Sequence, residues 1–422
     1  MTWIKKIKAS LYALGSGVSI NLVGQFKVSE ILVLLMFPFS VQKNDLRDYP
    51  LLRKIVYALV LLLCFQLITD LFVVNNSPQN FLRGSASIIM PILSFFVIFK
   101  MFQDEEAIII FIFFTMVKNI VFTDDIVDSE MSYFKFKIAP ILSNIVYLLV
   151  YYFYKKGNMK LLYGTIFVYC VVCLANDTRS SALSLLISTV LIYFYTNVNV
   201  TRQKIIVFCI AGALLFQGVY IFYVKSVLSH ELGGQHSLEQ LQRLDNPYNP
   251  FELLITGRGE TYVAVTAIGD KPWFGHGSWA VDKDLKYYKM LLAVHDEDLN
   301  LKKALEKDQL VPSHSILLGA WVNYGVGGFL AVFLIFCYLM KAGFYVIARG
   351  QSLTMYPIVV IMTVGLIWMF CFSPFQHLRY SVPQWGAMLL SAYYYLKYGE
   401  DNEEEEGDAE QVEETTAEHV VY

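Results

Sequence analysis

Arg179 lies in the run Asn176-Asp177-Thr178-Arg179-Ser180-Ser181, where one apolar stretch ends and the next begins. A guanidinium beside the opening turn of a helix combines a fork of donors with unpaired backbone N–H groups, which is anion-binding chemistry. Pairing with Asp177 or snorkelling to lipid headgroups would serve Arg179 equally well, and the local residues leave these readings level. A second arginine, Arg258, stands between Gly257 and Gly259, so a substrate or another backbone can approach it closely. It precedes Pro272-Trp273-Phe274-Gly275-His276-Gly277, a tight turn closing a helical stretch. By itself Arg258 reads more simply as a partner for Glu260 or Asp270. His314, in Val311-Pro312-Ser313-His314-Ser315, leads into an apolar run with Gly325-Val326-Gly327-Gly328. An imidazole there could exchange protons near neutral pH, although a lone interfacial histidine more often bonds to backbone. Arg379, in Gln376-His377-Leu378-Arg379-Tyr380, could add to an anion site or anchor the chain in the membrane.

Other chemistries find no support in the sequence. His295-Asp296-Glu297-Asp298 and the Asp124, Asp125 and Asp128 group are oxygen-rich but lack metal-ligand spacing, and they read as solvated loop charge. Cys170 and Cys173 have CxxC spacing without a second pair, so they read as small core residues, like the other four cysteines. No Walker loop, nucleophile elbow, HExxH motif or dinucleotide fingerprint occurs, and neither a cofactor nor a nucleic-acid partner is expected.

The elements that carry these residues are membrane helices. Of 422 residues, 56% are hydrophobic and only 16% charged, well below the quarter usual for soluble domains. The stretch 400–422 holds eleven acidic residues and no Lys or Arg, which leaves 33 basic against 25 acidic residues, a formal +8, on the remainder. That balance excludes a secreted module, a disordered chain and an ordinary cytosolic enzyme. Apolar stretches at 51–74, 84–101, 106–122, 138–154, 159–175, 180–196, 204–224, 315–340, 355–372 and 382–396 are each of spanning character. Two weaker stretches, 11–24 and 31–39, precede them. Lysines and arginines at 43–54, 155–160, 202–204 and 341–349 belong in the cytoplasm, and Lys5, Lys6 and Lys8 join them only if both weak stretches cross. The expectation is an all-α polytopic membrane protein of about 11–12 helices. Its parts are N-terminal membrane helices at 1–224, a large folded outer loop at 225–312, C-terminal membrane helices at 313–397 and an acidic disordered tail at 398–422. Arg179, Arg258, His314 and Arg379 then all fall on the outer face, with Asp70 and Lys118 as candidate charges within the membrane.

Together these clusters resemble the bacterial O-antigen ligase and polymerase superfamily. The match covers an Arg opening a mid-chain span at 176–181, a second Arg (Arg258) beginning a loop segment that reaches a Pro-x-x-Gly-x-Gly turn, and His314 opening a span with a Gly-rich turn. Order and spacing agree over about residues 179–340. Ser315 departs from the pattern, since the family often has Asn after the His. The resemblance implies a metal-independent glycosyltransferase in the bacterial inner membrane, with its site facing the periplasm and undecaprenyl-diphosphate-linked glycans as substrate. Arg179 and Arg258 would clamp the donor diphosphate, and His314 would position or deprotonate the acceptor hydroxyl. Gly257, Gly259, His276 and Arg379 would complete substrate binding, with Arg379 directed to a second lipid diphosphate. Trp273, Trp279, Tyr287 and Tyr288 could stack on sugars. The extra outer Arg favours a polymerase, with a chain-length regulator as a further partner. An O-antigen ligase acting on lipid A-core is the first alternative. A flippase for the lipid-linked unit is the second, and a non-catalytic scaffold the third.

Overall fold

The computed structural model describes residues 2–21, 24–122, 133–176, 178–198, 201–231, 235–242, 244–250, 252, 259–295 and 309–418. The chain is all but entirely helical. Among the described residues the one sheet is a two-stranded antiparallel hairpin, β1 (Ser19–Asn21) with β2 (Gln25–Lys27). Among the described residues five helical segments are long and apolar enough to cross a bilayer: Pro50–Val73, Pro78–Phe102, Phe134–Lys155, Arg179–Asn197 and Ile316–Ser352. Val28–Ser40, Met159–Ala175 and Tyr356–Phe372 are shorter apolar helices. The protein is therefore a multi-pass membrane protein of the all-α class. Each of the ten strong apolar stretches coincides with a helix.

In chain order the helices are α1 (Thr2–Gly15), α2 (Val28–Ser40), the short α3 (Asp45–Asp48), α4 (Pro50–Ile68), α5 (Pro78–Phe102), α6 (Glu105–Val121), α7 (Ala139–Lys155) and α8 (Met159–Ala175). Then come α9 (Arg179–Asn197), α10 (Arg202–Leu228), α11 (Gln235–Gln242), α12 (Gly259–Asp270), α13 (Lys286–His295), α14 (Ile316–Arg349), α15 (Tyr356–Phe372) and α16 (His377–Glu418). Helix α14 packs on α4, α15 and α16, and α5 packs on α4 and α16. Leu59, Phe95, Phe99, Ile335 and Phe370 fill the core between them. Helices α7, α8 and α9 form a second cluster that holds Cys170 and Cys173, where the Cys170 thiol meets the Ala182 carbonyl at 3.6 Å.

The N-terminal region differs from the sequence reading. The first helix occupies 2–15 rather than 11–24, because Gly15 ends it and Gly17 and Gly24 fall in the turn and hairpin that follow. Helix α1 lies along α6, with Lys6 paired to Glu106 at one end and Gly17 against Phe122 and Lys118 at the other. Helix α2 lies along α5, with Gly24 near Arg83 at one end and Asp45 bonded to Lys100 at 2.5 Å beyond the other. Both N-terminal helices therefore traverse the same depth as the helices they accompany. At the other terminus α16 continues through the acidic run to Glu418 as helix, where composition alone reads as a solvated extension. Glutamate is a good helix former, so that run can prolong the helix.

Two faces follow from these packings. The loop face carries the described residues between 225 and 312, and the opposite face carries Lys155, Asn197 and Gln351, which line one shallow cavity. Helix α9 reaches that cavity at Asn197, and α14 reaches it just beyond Arg349. Their other ends, Arg179 and Ile316, consequently lie on the loop face.

Candidate functional site

Helix α14 is broken at Tyr324 and Gly325, and Gly325 has φ 68° and ψ −165°, a conformation only glycine takes without strain. Residues 326–349 span about 36 Å at 1.5 Å per residue, enough for a bilayer core. The break therefore divides α14 into a short loop-side piece, 316–324, and a longer piece that is by itself of spanning length. A broken helix exposes backbone groups that must be paired within the protein. The turn 272–278 pairs them. The His276 N–H donates to the Val322 carbonyl at 2.7 Å, the Gly277 N–H to Asn323 at 2.9 Å, and the Val326 N–H to Pro272 at 3.0 Å. The Trp321 indole N–H also donates to the Pro272 carbonyl, at 2.9 Å. Contact is backbone to backbone: a Cβ on Gly275 would lie 2.6 Å from the Asn323 carbonyl, and one on Gly325 would overlap the Trp273 carbonyl. The two glycine-bearing motifs are thus two halves of one joint.

From this joint the loop is built outward. Val263, Ala264 and Ala267 of α12 pack on Val322 and Tyr287. The chain after the turn pairs with the segment that leads back to the membrane, through Asp282 N–H to Gln309 (2.8 Å) and Val311 N–H to Ala280 (3.0 Å). Asp282 also caps α13, accepting from the N–H groups of Lys286 (3.0 Å) and Tyr288 (2.8 Å). The paired segment 309–311 leads on to His314. Ser315 then caps α14, its hydroxyl accepting from the Leu318 N–H at 3.2 Å and donating to the Phe370 carbonyl at 3.1 Å. The departure from Asn at this position thus keeps an N-cap residue of equal rank.

His314 is half-buried and sits beside His377, in the connector before the last span. Burial pushes the His377 imidazole below its ordinary value, and the positive fields of His314 and Lys27 push it further. Nδ1 of His377 lies 3.0 Å from the Ser381 hydroxyl. Lys27 lies over the Tyr380 ring, 4.5 Å from its centroid. The position of Lys27, between a hairpin strand and α2, gave no sign in the sequence of a place near His314.

Arg379 is held nearby. Its guanidinium donates to Glu30 through Nε (2.6 Å) and Nη2 (2.9 Å), and it lies between the Phe26 and Tyr380 rings. Both side chains of the pair are below 10% exposed. The Glu30 carboxylate also accepts the Lys27 N–H at 2.9 Å. Glu30, an acid at the edge of an apolar stretch, is the sequence signal that could have exposed this pairing.

Arg179 opens α9 beside α10, its guanidinium 5.7 Å from the Tyr223 ring centroid and within electrostatic reach of Tyr220. The helix start has no side-chain cap, because Thr178 donates its hydroxyl to the Cys173 carbonyl at 2.9 Å instead. Gly257 and Arg258 lie outside the described residues, as do Asp177, Asp124, Asp125, Asp128, Asp296, Glu297 and Asp298. Gly259 is buried at the first position of α12, so Arg258 immediately precedes the helix that packs on the joint.

Two sequence candidates have structural occupations. His276 donates from Nε2 to the Ala267 carbonyl at 2.9 Å, with its ring edge-on to Tyr287. Tyr287 is buried and donates to Asp270, which also binds Lys286, each at 2.5 Å, so this ring faces the loop interior rather than a sugar. Those donors hold the Asp270 carboxyl below the ordinary carboxylate range. Trp273, by contrast, is 71% exposed.

The family model described as O-antigen ligase matches residues 164–333. The matched stretch contains Arg179, Arg258, the 272–278 turn, His314 and the break in α14. The match supports the O-antigen ligase and polymerase superfamily. No curated protein matches the chain.

Proposed function

Starting from an O-antigen ligase domain at residues 164–333 in a multi-pass membrane protein, we propose that the chain polymerises surface polysaccharide. It would act at the periplasmic face of the bacterial inner membrane and join undecaprenyl-diphosphate-linked repeat units. The observation that carries this reading is the joint: His314 and Arg179 both stand on the loop face, and the segment bearing His314 is fixed to the broken α14 by the turn that follows α12.

In the transfer an acceptor hydroxyl oxygen bonds to the anomeric carbon of the donor sugar, and the bond from that carbon to the diphosphate oxygen breaks. The lipid diphosphate leaves with the bonding electron pair. Arg179 and Arg258 stabilise the negative charge as it develops, since donors fixed in place act where charge appears. His314 orients the acceptor hydroxyl and takes its proton. The Lys27 ammonium, close to His377 and His314, keeps this site favourable to an anionic lipid. Arg379 contributes to the same rim while it holds Glu30, Gly257 and Gly259 admit the substrate close to Arg258, and His276 serves binding through the turn it secures. No metal or cofactor enters these steps.

Complementation of a deletion strain tests this. Arg179→Ala, Arg258→Ala and His314→Ala should each abolish long chains on a glycan gel at normal protein level. Unchanged chain length in all three would refute the reading. In the deletion strain itself, one repeat should still reach lipid A-core; loss of every repeat would assign the ligase reaction instead.

A further inference from the structure

Asp70 is 1% exposed at the loop-side end of α4, in a π-turn (Thr69–Val73) whose extra residue turns Thr69 and Asp70 inward. Its Oδ1 accepts the Ser278 backbone N–H at 2.8 Å and the Asn76 side-chain amide at 3.1 Å, and its Oδ2 accepts the Gln66 amide at 2.7 Å. The same Asn76 amide donates to the Ser278 carbonyl at 2.8 Å, and the Thr69 hydroxyl to the Phe274 carbonyl at 2.8 Å. On the far side the Ser278 hydroxyl lies 3.0 Å from the Tyr324 hydroxyl, at the break in α14. Gly84 leaves room for the Ser278 side chain, and Gly277, with φ 87°, lets the backbone pass Asp70.

An acid within a membrane bundle is by default a candidate ion or proton carrier. The surroundings of Asp70 argue otherwise. Each bonded donor is an uncharged amide, both carboxylate oxygens are engaged, and the two partners of Oδ1 either belong to the 272–278 turn (Ser278) or bond to it (Asn76). We propose that Asp70 is a positioning residue. It seats the turn in the gap of α14 and, through the pairing of 280–282 with 309–311, fixes His314 relative to the bundle. It acts as a hydrogen-bond acceptor, not as a carrier. The link to His314 rests on the function proposed above, whereas the seating of the turn does not.

The test uses the full-length protein in lipid nanodiscs, with Asp70→Asn and Asp70→Leu compared by two readouts. One is hydrogen exchange of peptides covering 271–282 and 309–315; the other is elongation of lipid-linked repeats. Asn keeps an acceptor for Ser278 and Asn76, and the Gln66 amide can turn over to meet its new donor. Exchange should therefore match wild type and kcat should stay within about threefold. Leu removes every acceptor, so exchange at 271–282 should rise about tenfold or more and kcat fall by a similar factor, with KM little changed. Thr69→Val and Asn76→Leu, which leave Asp70 in place, should each raise exchange in the same peptide by about twofold to tenfold, which keeps the test open if the Leu variant does not fold. Wild-type exchange in Asp70→Leu, or in both flanking variants, would overturn the proposal. So would loss of activity in Asp70→Asn with exchange intact, the mark of a carrier. Exchange as expected in a wild-type protein that never elongates its substrate would sink the glycosyl-transfer reading and leave the seating of the turn standing.

Discussion

At the residue scale, charge and hydrogen-bond capacity decide what each candidate can do. His276 illustrates this. Burial holds its imidazole below the ordinary value of 6.5, while the Ala267 carbonyl opposes the shift without reversing it. A histidine depressed on folding favours the folded state above its unfolded value, and that contribution drains as pH falls through the lowered value. Asp270 acts in the same direction further down, because Lys286 and Tyr287 depress its carboxyl below 3.8. Both effects make the seated loop acid-labile. Protease resistance of the loop in intact protein should thus be full near pH 7.5 and decline below about pH 6.5, with His276→Gln flattening the first part of that decline.

At the element scale, the break in α14 governs how loop and bundle meet. Gly325→Ala would impose a strained φ and drive a methyl group into the Trp273 carbonyl, costing about 1–3 kcal/mol for the backbone alone. Its melting temperature in detergent should fall, and exchange at 272–278 should rise before the rest of the protein opens. A milder case is the cap of the same helix. Ser315→Ala should lose about 1 kcal/mol, whereas Ser315→Asn should melt close to wild type, since either side chain can accept the Leu318 N–H.

At the scale of the whole molecule, α2 and the last membrane helix, α16, are tied together on the loop face. Glu30 and Arg379 form a buried, doubly bonded pair across the sequence, and the hairpin residues Phe26 and Lys27 close over it. Removing one member strands the other charge, so Arg379→Ala should destabilise the protein by about 3–5 kcal/mol. Replacing both residues with well-packed apolar side chains should recover most of that loss. Thermal unfolding of the three proteins, measured beside the glycan ladder, separates a structural need for Arg379 from a need of the substrate. If the double variant melts like wild type yet makes only short chains, Arg379 serves the substrate.

By itself the sequence determined the all-α, multi-pass class, since apolar runs of spanning length have no other stable placement, and the lysine and arginine distribution gave the expectation that its candidate residues share a face. It also located Arg179, Arg258 and His314 from residue type and spacing within the stretch that the O-antigen ligase family matches. The sequence did not show that Pro272-Trp273-Phe274-Gly275-His276-Gly277 and the glycines after Tyr324 are partners, that Asp70 binds Ser278, or that Arg379 is paired with Glu30. These are contacts between residues as many as 349 positions apart. Hydropathy and short-range spacing report only what a residue and its neighbours prefer. Which buried donor meets which acceptor is fixed when helices pack, and only the tertiary structure decides it.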